Sequence, residues 1–208
     1  MGNSSNGGLL GIVAAGGFGT RCGLGYPKSL FAVEGESLLS KTIAELRRIG
    51  AEVIVLTNRS EYWDLTRKQV RAYSGVRLAL SGEVESTVEL LRCVPVEDIL
   101  ERKVLFCYGH APRPAGHLRD LIQLQGPAVS VVRYSSKRKL VRSCTGLYME
   151  PPYYLPQLQL HDLQSNTWSE LIDGLDRPAE EVLLNGPGEA NYSSEIELYA
   201  KYASQSIR

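Results

Sequence analysis

A glycine-rich loop with two cations beside it is the feature of this sequence best suited to chemistry. Residues 11–21 read GIVAAGGFGTR, and the segment PKSL follows at residues 27–30. Glycine has no Cβ and tolerates unusual dihedral angles, so such a loop can bring backbone N–H groups against a polyphosphate. Arg21 and Lys28 could neutralise the charge that develops when a phosphoryl group is attacked. The pattern therefore indicates a phosphate-binding loop.

Two widespread phosphate loops do not fit this spacing. A P-loop requires a glycine directly before its lysine and another glycine five positions earlier. Those positions hold Pro27 and Cys22. A dinucleotide fingerprint that starts at Gly17 fits at Gly19, but its last glycine would have to stand at Cys22. Both interpretations are excluded.

The loop resembles the signature of the sugar-nucleotide pyrophosphorylases and of their smaller MobA-like relatives, which are nucleotidyltransferases. Their pattern is Ala-Ala-Gly-x-Gly-Thr-Arg, a short spacer, and then Pro-Lys-x-Leu. This chain has one extra residue before the second glycine of that pattern. The residues that match are Ala14, Ala15, Gly16, Gly17, Gly19, Thr20, Arg21, Pro27, Lys28 and Leu30. The alternative is a glycine-rich turn between a strand and a helix that binds no ligand.

The resemblance implies a reaction and a role for each part of the loop. A phosphorylated acceptor, such as a sugar or polyol phosphate, would attack the α-phosphorus of a nucleoside triphosphate, and pyrophosphate would leave. The nucleotide-binding residues would be Ala14, Ala15, Gly16, Gly17, Gly19 and Thr20, with Ser86 near the nucleobase. Arg21 would face the pyrophosphate, and Lys28 would bridge the α-phosphate and the attacking oxygen. A plain helix cap at Ser86 and local, non-catalytic roles for both cations are the alternatives.

The positions that usually bind a metal in this family are altered. The resemblance implies Mg²⁺, held by an aspartate after the fourth strand and by an acidic or amide residue near the C-terminus. This chain has His110 at the first position, with Asn191 and Ser193 near the second. Mg²⁺ could be held by the triphosphate and Asn191. Alternatively, His110 could bind a softer ion such as Mn²⁺, or donate to phosphate with no metal present. A fourth interpretation is a catalytically impaired nucleotide-binding or regulatory protein on the same fold.

A basic segment and a short glycine motif are the candidates for binding the acceptor. Positive charge is dense between Arg133 and Arg142, and TGLY at residues 145–148 resembles a segment that lines the acceptor pocket in relatives. We therefore expect Arg133, Thr145 and Gly146 to bind the acceptor phosphate. The alternatives are a solvated hairpin tip and an ordinary edge strand.

The hydrophobic pattern predicts the elements that position these residues. Strands are expected at 9–14, 52–57, 76–80 and 103–107, alternating with helices at 37–49, 61–73, 86–94 and 115–124. This order predicts a three-layer, Rossmann-like α/β fold with a mostly parallel sheet and ligands at the carboxyl ends of its strands. Strands at 128–134 and 140–148 would form a small antiparallel excursion. Short helices are expected to end near 175 and to cover 194–203.

Composition limits the class of protein. The 208 residues include 23 Lys and Arg and 23 Asp and Glu, so no net charge favours nucleic acid or a membrane surface. The four cysteines form no Cys-x-x-Cys pair, which argues against structural zinc and disulfides and favours a cytoplasmic setting. We expect residues 1–8 to be a disordered tail and 9–208 a single domain, with 127–165 as an excursion on the acceptor side. That excursion could also serve as a homodimer arm.

Overall fold

The computed structural model describes residues 8–17, 23–58, 61–81, 89, 93–99, 102–124, 126–134, 139–149 and 179–184. The strands there are β1 (Leu9–Ala14), β2 (Ala32–Val33), β3 (Glu36–Ser37), β4 (Glu52–Asn58), β5 (Val76–Ser81), β6 (Lys103–Tyr108), β7 (Ala128–Tyr134), β8 (Lys139–Met149) and β9 (Glu180–Leu184). The helices are α1 (Leu38–Arg48), α2 (Trp63–Arg71), α3 (Val96–Ile99) and α4 (Ala115–Gln123), and a 3₁₀ turn covers Lys28–Leu30. None of the described helices is long and apolar enough to cross a membrane.

Seven of these strands form one mixed sheet in the order β5-β4-β1-β6-β8-β7-β9. The pairs β5–β4, β4–β1 and β1–β6 are parallel, and so is the pair β7–β9. Strand β8 runs antiparallel to both of its neighbours. The predicted mostly parallel α/β sheet with a small antiparallel part is confirmed.

Alternate residues of the central strands face two separate cores. Along β1, Leu10 and Ile12 belong to one cluster of buried side chains, which also contains Ile99 at the end of α3. Val13 belongs to the other cluster, which contains buried residues of α1, α2 and α4. Because successive side chains of a strand point to opposite faces, helices cover both faces of the sheet.

Local signals fix both ends of α1. The hydroxyl of Ser37 accepts a hydrogen bond from the backbone N–H of Ser40 at 3.0 Å, and it donates to Oε1 of Gln69 in α2 at 2.7 Å. Gly50, which follows the C-cap residue Ile49, has a φ of 81°, a left-handed conformation that favours glycine. The N-cap therefore also joins the first two helices to each other.

Some parts of the fold differ from the sequence prediction or extend it. The antiparallel strands β7 and β8 are hydrogen-bonded into the main sheet, because β8 pairs with β6. Strand β9, helix α3 and the hairpin of β2 and β3 were not predicted from the sequence. The helices predicted near 175 and at 194–203, and most of the one predicted at 86–94, lie outside the described residues.

Candidate active site

The ends of neighbouring parallel strands build the site. The chain leaves β1 at Ala14, and its next residues are bonded to both adjacent strands. The backbone N–H of Ala15 donates to the carbonyl of Leu56 in β4 at 2.8 Å. On the other side, the N–H of Gly109, directly after β6, donates to the carbonyl of Ala14 at 2.8 Å. The start of the glycine-rich loop is therefore held at the carboxyl edge of the sheet, where ligands of such sheets bind.

The segment at residues 27–30 folds back onto this loop. The backbone N–H of Lys28 donates to the carbonyl of Gly17 at 3.3 Å. The buried hydroxyl of Ser29 donates to the carbonyl of Ala15 at 3.0 Å. These bonds join residues that are 11 and 14 positions apart in the sequence. The structure therefore brings Lys28 to the glycine-rich loop, as the spacing of the two motifs predicts.

Two glycines of the site have no room for a side chain. A Cβ at Gly16 would lie 3.0 Å from both the backbone N and Oδ1 of Asn58, the last residue of β4. A Cβ at Gly109 would lie 3.2 Å from Cδ1 of Leu39 and 3.3 Å from the carbonyl of Ala14. A Cβ at Gly17 would meet no atom of the described residues within 4 Å. Gly16 and Gly109 thus permit close packing, whereas Gly17 has no close neighbour in the described part of the chain.

His110 stands where β6 ends. Its ring stacks on Tyr108, with centroids 5.2 Å apart and planes at 26°. Its Nε2 is buried and has no hydrogen-bond partner among the described residues. Burial, and the positive charges of Lys28 and Arg113, hold the pKa of His110 well below its ordinary value of 6.5. The imidazole is therefore neutral at neutral pH.

A second histidine lies deeper in the same region. His117, in α4, is buried, and its Nε2 lies 2.7 Å from Oγ of the fully buried Ser130. Burial and the charge of Arg113 lower the pKa of His117 to about 4, with Asp120 opposing this shift. Arg113 itself is only 1% exposed. The positive charge of its guanidinium thus lowers the pKa of both imidazoles.

The predicted site residues fall into three groups. Some lie together at one edge of the sheet, some are placed on strands β7 and β8, and some lie outside the described residues. The first group lies at one edge of the sheet: Ala14, Ala15, Gly16, Gly17, Lys28 and His110. Arg133 lies in β7, and Thr145 and Gly146 lie in β8. Leu147 pairs with Phe106 in the antiparallel β6–β8 register, so residues 145–146 lie further toward the carboxyl end of β6. Gly19, Thr20, Arg21, Ser86 and Asn191 lie outside the described residues.

Sequence reasoning missed Asn58, Arg113 and His117. Asn58 is the last residue of a buried apolar strand, and a polar residue at the carboxyl end of a strand in an α/β sheet is a signal that could have found it. Nothing local in the sequence marks Arg113 or His117, because their burial results from the packing of α4 against the sheet.

The parallel strands of this sheet carry a glycine-rich loop and a lysine at their carboxyl edge. This arrangement is typical of nucleotide-binding α/β proteins. The chain belongs to the MobA-like NTP transferase domain family, whose model matches residues 11–169. The resemblance noted in the sequence is thereby confirmed, and the chain is a nucleotidyltransferase-type domain. No curated protein sequence matches the chain.

Solved structures share the fold at low sequence identity. The 4-diphosphocytidyl-2C-methyl-D-erythritol synthase of Anaerococcus prevotii superposes with a TM-score of 0.71 at 14% identity, over 95% of this chain and 96% of that one. A protein of Bacillus anthracis described as a glucose-1-phosphate thymidylyltransferase gives a TM-score of 0.72 at 13% identity, over 96% of each chain. Rv0371c of Mycobacterium tuberculosis, in complex with manganese, gives 0.66 at 15% identity, over 93% of this chain and 98% of that chain.

Proposed function

We propose that the protein transfers a nucleoside monophosphate from a nucleoside triphosphate to a phosphorylated small acceptor, such as a sugar or polyol phosphate. The observation that carries this proposal is the bonding of Lys28 to the glycine-rich loop at the carboxyl edge of β1, through its backbone N–H and the carbonyl of Gly17. Membership of the MobA-like family supports the reaction class. The class of acceptor is our inference.

In the proposed reaction, an oxygen of the acceptor phosphate forms a bond to the α-phosphorus. The bond from that phosphorus to the bridging oxygen of the β-phosphate breaks, and pyrophosphate leaves with the bonding pair. Backbone N–H groups of the glycine-rich loop bind the triphosphate, and the Lys28 ammonium neutralises charge on the α-phosphate. By its match to the family pattern, Arg21 is assigned to the leaving pyrophosphate. Catalysis then consists of positioning and charge neutralisation.

The acceptor is proposed to bind on the side of β8. Thr145 and Gly146 precede the residues of β8 that pair with β6, so their backbone lies toward the strand end that carries His110. Arg133, in the neighbouring strand β7, is assigned to the acceptor phosphate because arginine can form two parallel hydrogen bonds with a phosphate. The acceptor and the triphosphate would then meet beside Lys28.

The experiment is a matrix of substrates. The protein is incubated with each common nucleoside triphosphate, with Mg²⁺ or Mn²⁺, and with a panel of sugar and polyol phosphates. Pyrophosphate release and the mass of the nucleoside-diphosphate product are measured. We expect one combination of a nucleoside triphosphate and an acceptor to give both pyrophosphate and the nucleoside-diphosphate product. Nucleotide binding by calorimetry without turnover for any pair would favour the non-catalytic regulatory alternative, and absence of binding would reject both.

The lysine supplies a sharper test of the same proposal. We expect Lys28→Ala to lower kcat by about 10²–10³-fold, the usual effect of losing one group that stabilises charge in the transition state. The matched control is Lys68→Ala, which removes an exposed lysine of α2. Equal rates for both variants in the pyrophosphate assay would show that Lys28 has no catalytic role.

A further inference from the structure

The family resemblance implies a divalent metal where β6 ends, but the residues described there do not fit one. The side chain at this position is an imidazole rather than a carboxylate. Among the described residues, no group of three or more His, Cys, Asp or Glu could hold a metal ion. Mg²⁺ prefers hard oxygen ligands in a near-octahedral arrangement, and the imidazole of His110 has only nitrogen atoms to offer. The described residues at this end of β6 therefore offer Mg²⁺ no carboxylate ligand set.

The charges near His110 also oppose a divalent cation. Lys28 and Arg113 are close enough to disfavour a single proton on the imidazole. A divalent ion on the same ring carries twice the charge of that proton, so the same two side chains repel it more strongly. The field at this end of β6 instead favours an anion.

His110 has the hydrogen-bonding capacity that an anion requires. A neutral imidazole carries one N–H donor and one lone pair. The ring is held by its stacking on Tyr108, and the preceding Gly109 is bonded to Ala14 at the start of the glycine-rich loop. The buried Nε2 has no partner in the described part of the chain, and a buried polar atom without one costs free energy. A ligand oxygen that paired with the ring would offset this cost.

We propose that His110 and Lys28 together bind a phosphate oxygen of the nucleotide at the carboxyl end of β6, in the place of a protein-bound divalent cation. This inference rests on the proposed function, since it assigns the ligand of the same site. It differs from the arrangement implied by the family pattern, in which the protein contributes a carboxylate to the metal.

The first experiment measures nucleotide affinity without metal. Calorimetry in excess EDTA is carried out with the nucleoside triphosphate that binds most tightly. We expect the wild-type protein to bind, and His110→Ala to weaken binding about tenfold, because one hydrogen bond to a charged group is lost. His110→Asn, which keeps a neutral donor, should stay within about threefold of the wild type. His110→Asp should bind more weakly than His110→Ala, because a carboxylate repels phosphate.

Control variants separate local from general effects. Gln123→Asp adds the same charge at an exposed position near the end of α4 and should leave the affinity unchanged. Thermal unfolding shows whether each His110 variant is folded at the temperature of the titration. An unchanged affinity in folded His110→Ala would overturn the inference.

The second experiment tests the metal directly. Mn²⁺ alone is titrated into the wild-type protein and followed by electron paramagnetic resonance. We expect no bound Mn²⁺ that depends on His110. A stoichiometric Mn²⁺ site that His110→Ala removes would overturn the inference while leaving the proposed function intact. Failure to bind any triphosphate, with or without metal, would instead reject the proposed function.

Discussion

Gly16 and Gly17 are neighbours in the sequence, yet a methyl group added to each would meet different surroundings. At Gly16 it would press on the backbone N of Asn58, which belongs to β4 and cannot move freely. At Gly17 it would contact none of the described residues. Glycine at position 16 therefore allows close packing against β4. Glycine at position 17 can allow a ligand to approach the backbone.

These surroundings predict opposite effects of two alanine substitutions. Gly16→Ala should lower the free energy of unfolding by about 1–3 kcal/mol, because the added methyl overpacks the contact with Asn58. Gly17→Ala should leave that free energy within about 0.5 kcal/mol and weaken binding of the triphosphate, because the methyl stands between the backbone and the phosphates. Urea unfolding and calorimetry measure the two quantities. Equal stability losses in the two variants would contradict this division of roles.

Helix α4 begins without a side-chain cap of its own, since Pro114 stands at its N-cap position. The missing acceptor comes from another helix. Oε2 of Glu45, in α1, accepts a hydrogen bond from the backbone N–H of Ala115 at 2.8 Å. Oε1 of the same carboxylate pairs with Arg48. The segment between β6 and α4, which carries His110 and Arg113, is thus fixed at its far end by a contact with α1.

Removing this cap should destabilise the protein. We expect Glu45→Ala to lower the free energy of unfolding by about 1 kcal/mol, the usual cost of a lost helix cap. Glu45→Gln keeps an acceptor oxygen and should recover part of that loss. Arg48→Ala removes the exposed ion pair but keeps the cap, and should cost less than about 0.5 kcal/mol. If Arg48→Ala costs as much as Glu45→Ala in urea unfolding, the ion pair rather than the cap is responsible.

The same elements show what sequence patterns can and cannot predict. The bounds of β1 and β7 were predicted to the residue, because each contains apolar residues that are buried in the sheet, such as Ile12 and Val13 in β1 and Val129 and Val131 in β7. Strand β9 was missed because its sequence, EEVLL, is short and begins with two charges; its pairing with β7 makes it a strand. The position of Lys28 beside the glycine-rich loop follows a motif that is visible in the sequence, while its role stays a prediction. The roles of Asn58 and Arg113 depend on contacts between distant segments, and local patterns do not encode these.

At the scale of the whole molecule, two neutral imidazoles link stability to pH: His117, which is buried, and His110, which is half-buried. His117 is buried against Ser130, and its pKa falls from 6.5 to about 4 on folding. The pKa of His110 is also lowered in the folded protein. Between about pH 6.5 and 4, the unfolded chain therefore binds a proton at His117 that the folded protein does not bind. Acid stabilises the unfolded state through this difference, and the contribution of the histidine levels off below about pH 4.

The free energy of unfolding should therefore decrease as the pH falls from about 6.5 toward 4. Each such histidine contributes a slope of at most about 1.4 kcal/mol per pH unit. His117→Asn should lower stability at pH 7.5, because it changes a buried hydrogen bond, but it should also make the dependence on pH shallower. Urea unfolding of both proteins at several pH values measures the two slopes. Carboxylates titrate in the same range in both proteins, so their effect cancels in the difference. Identical slopes would mean that His117 is protonated equally in the folded and unfolded states, and its burial would then have no effect on acid stability.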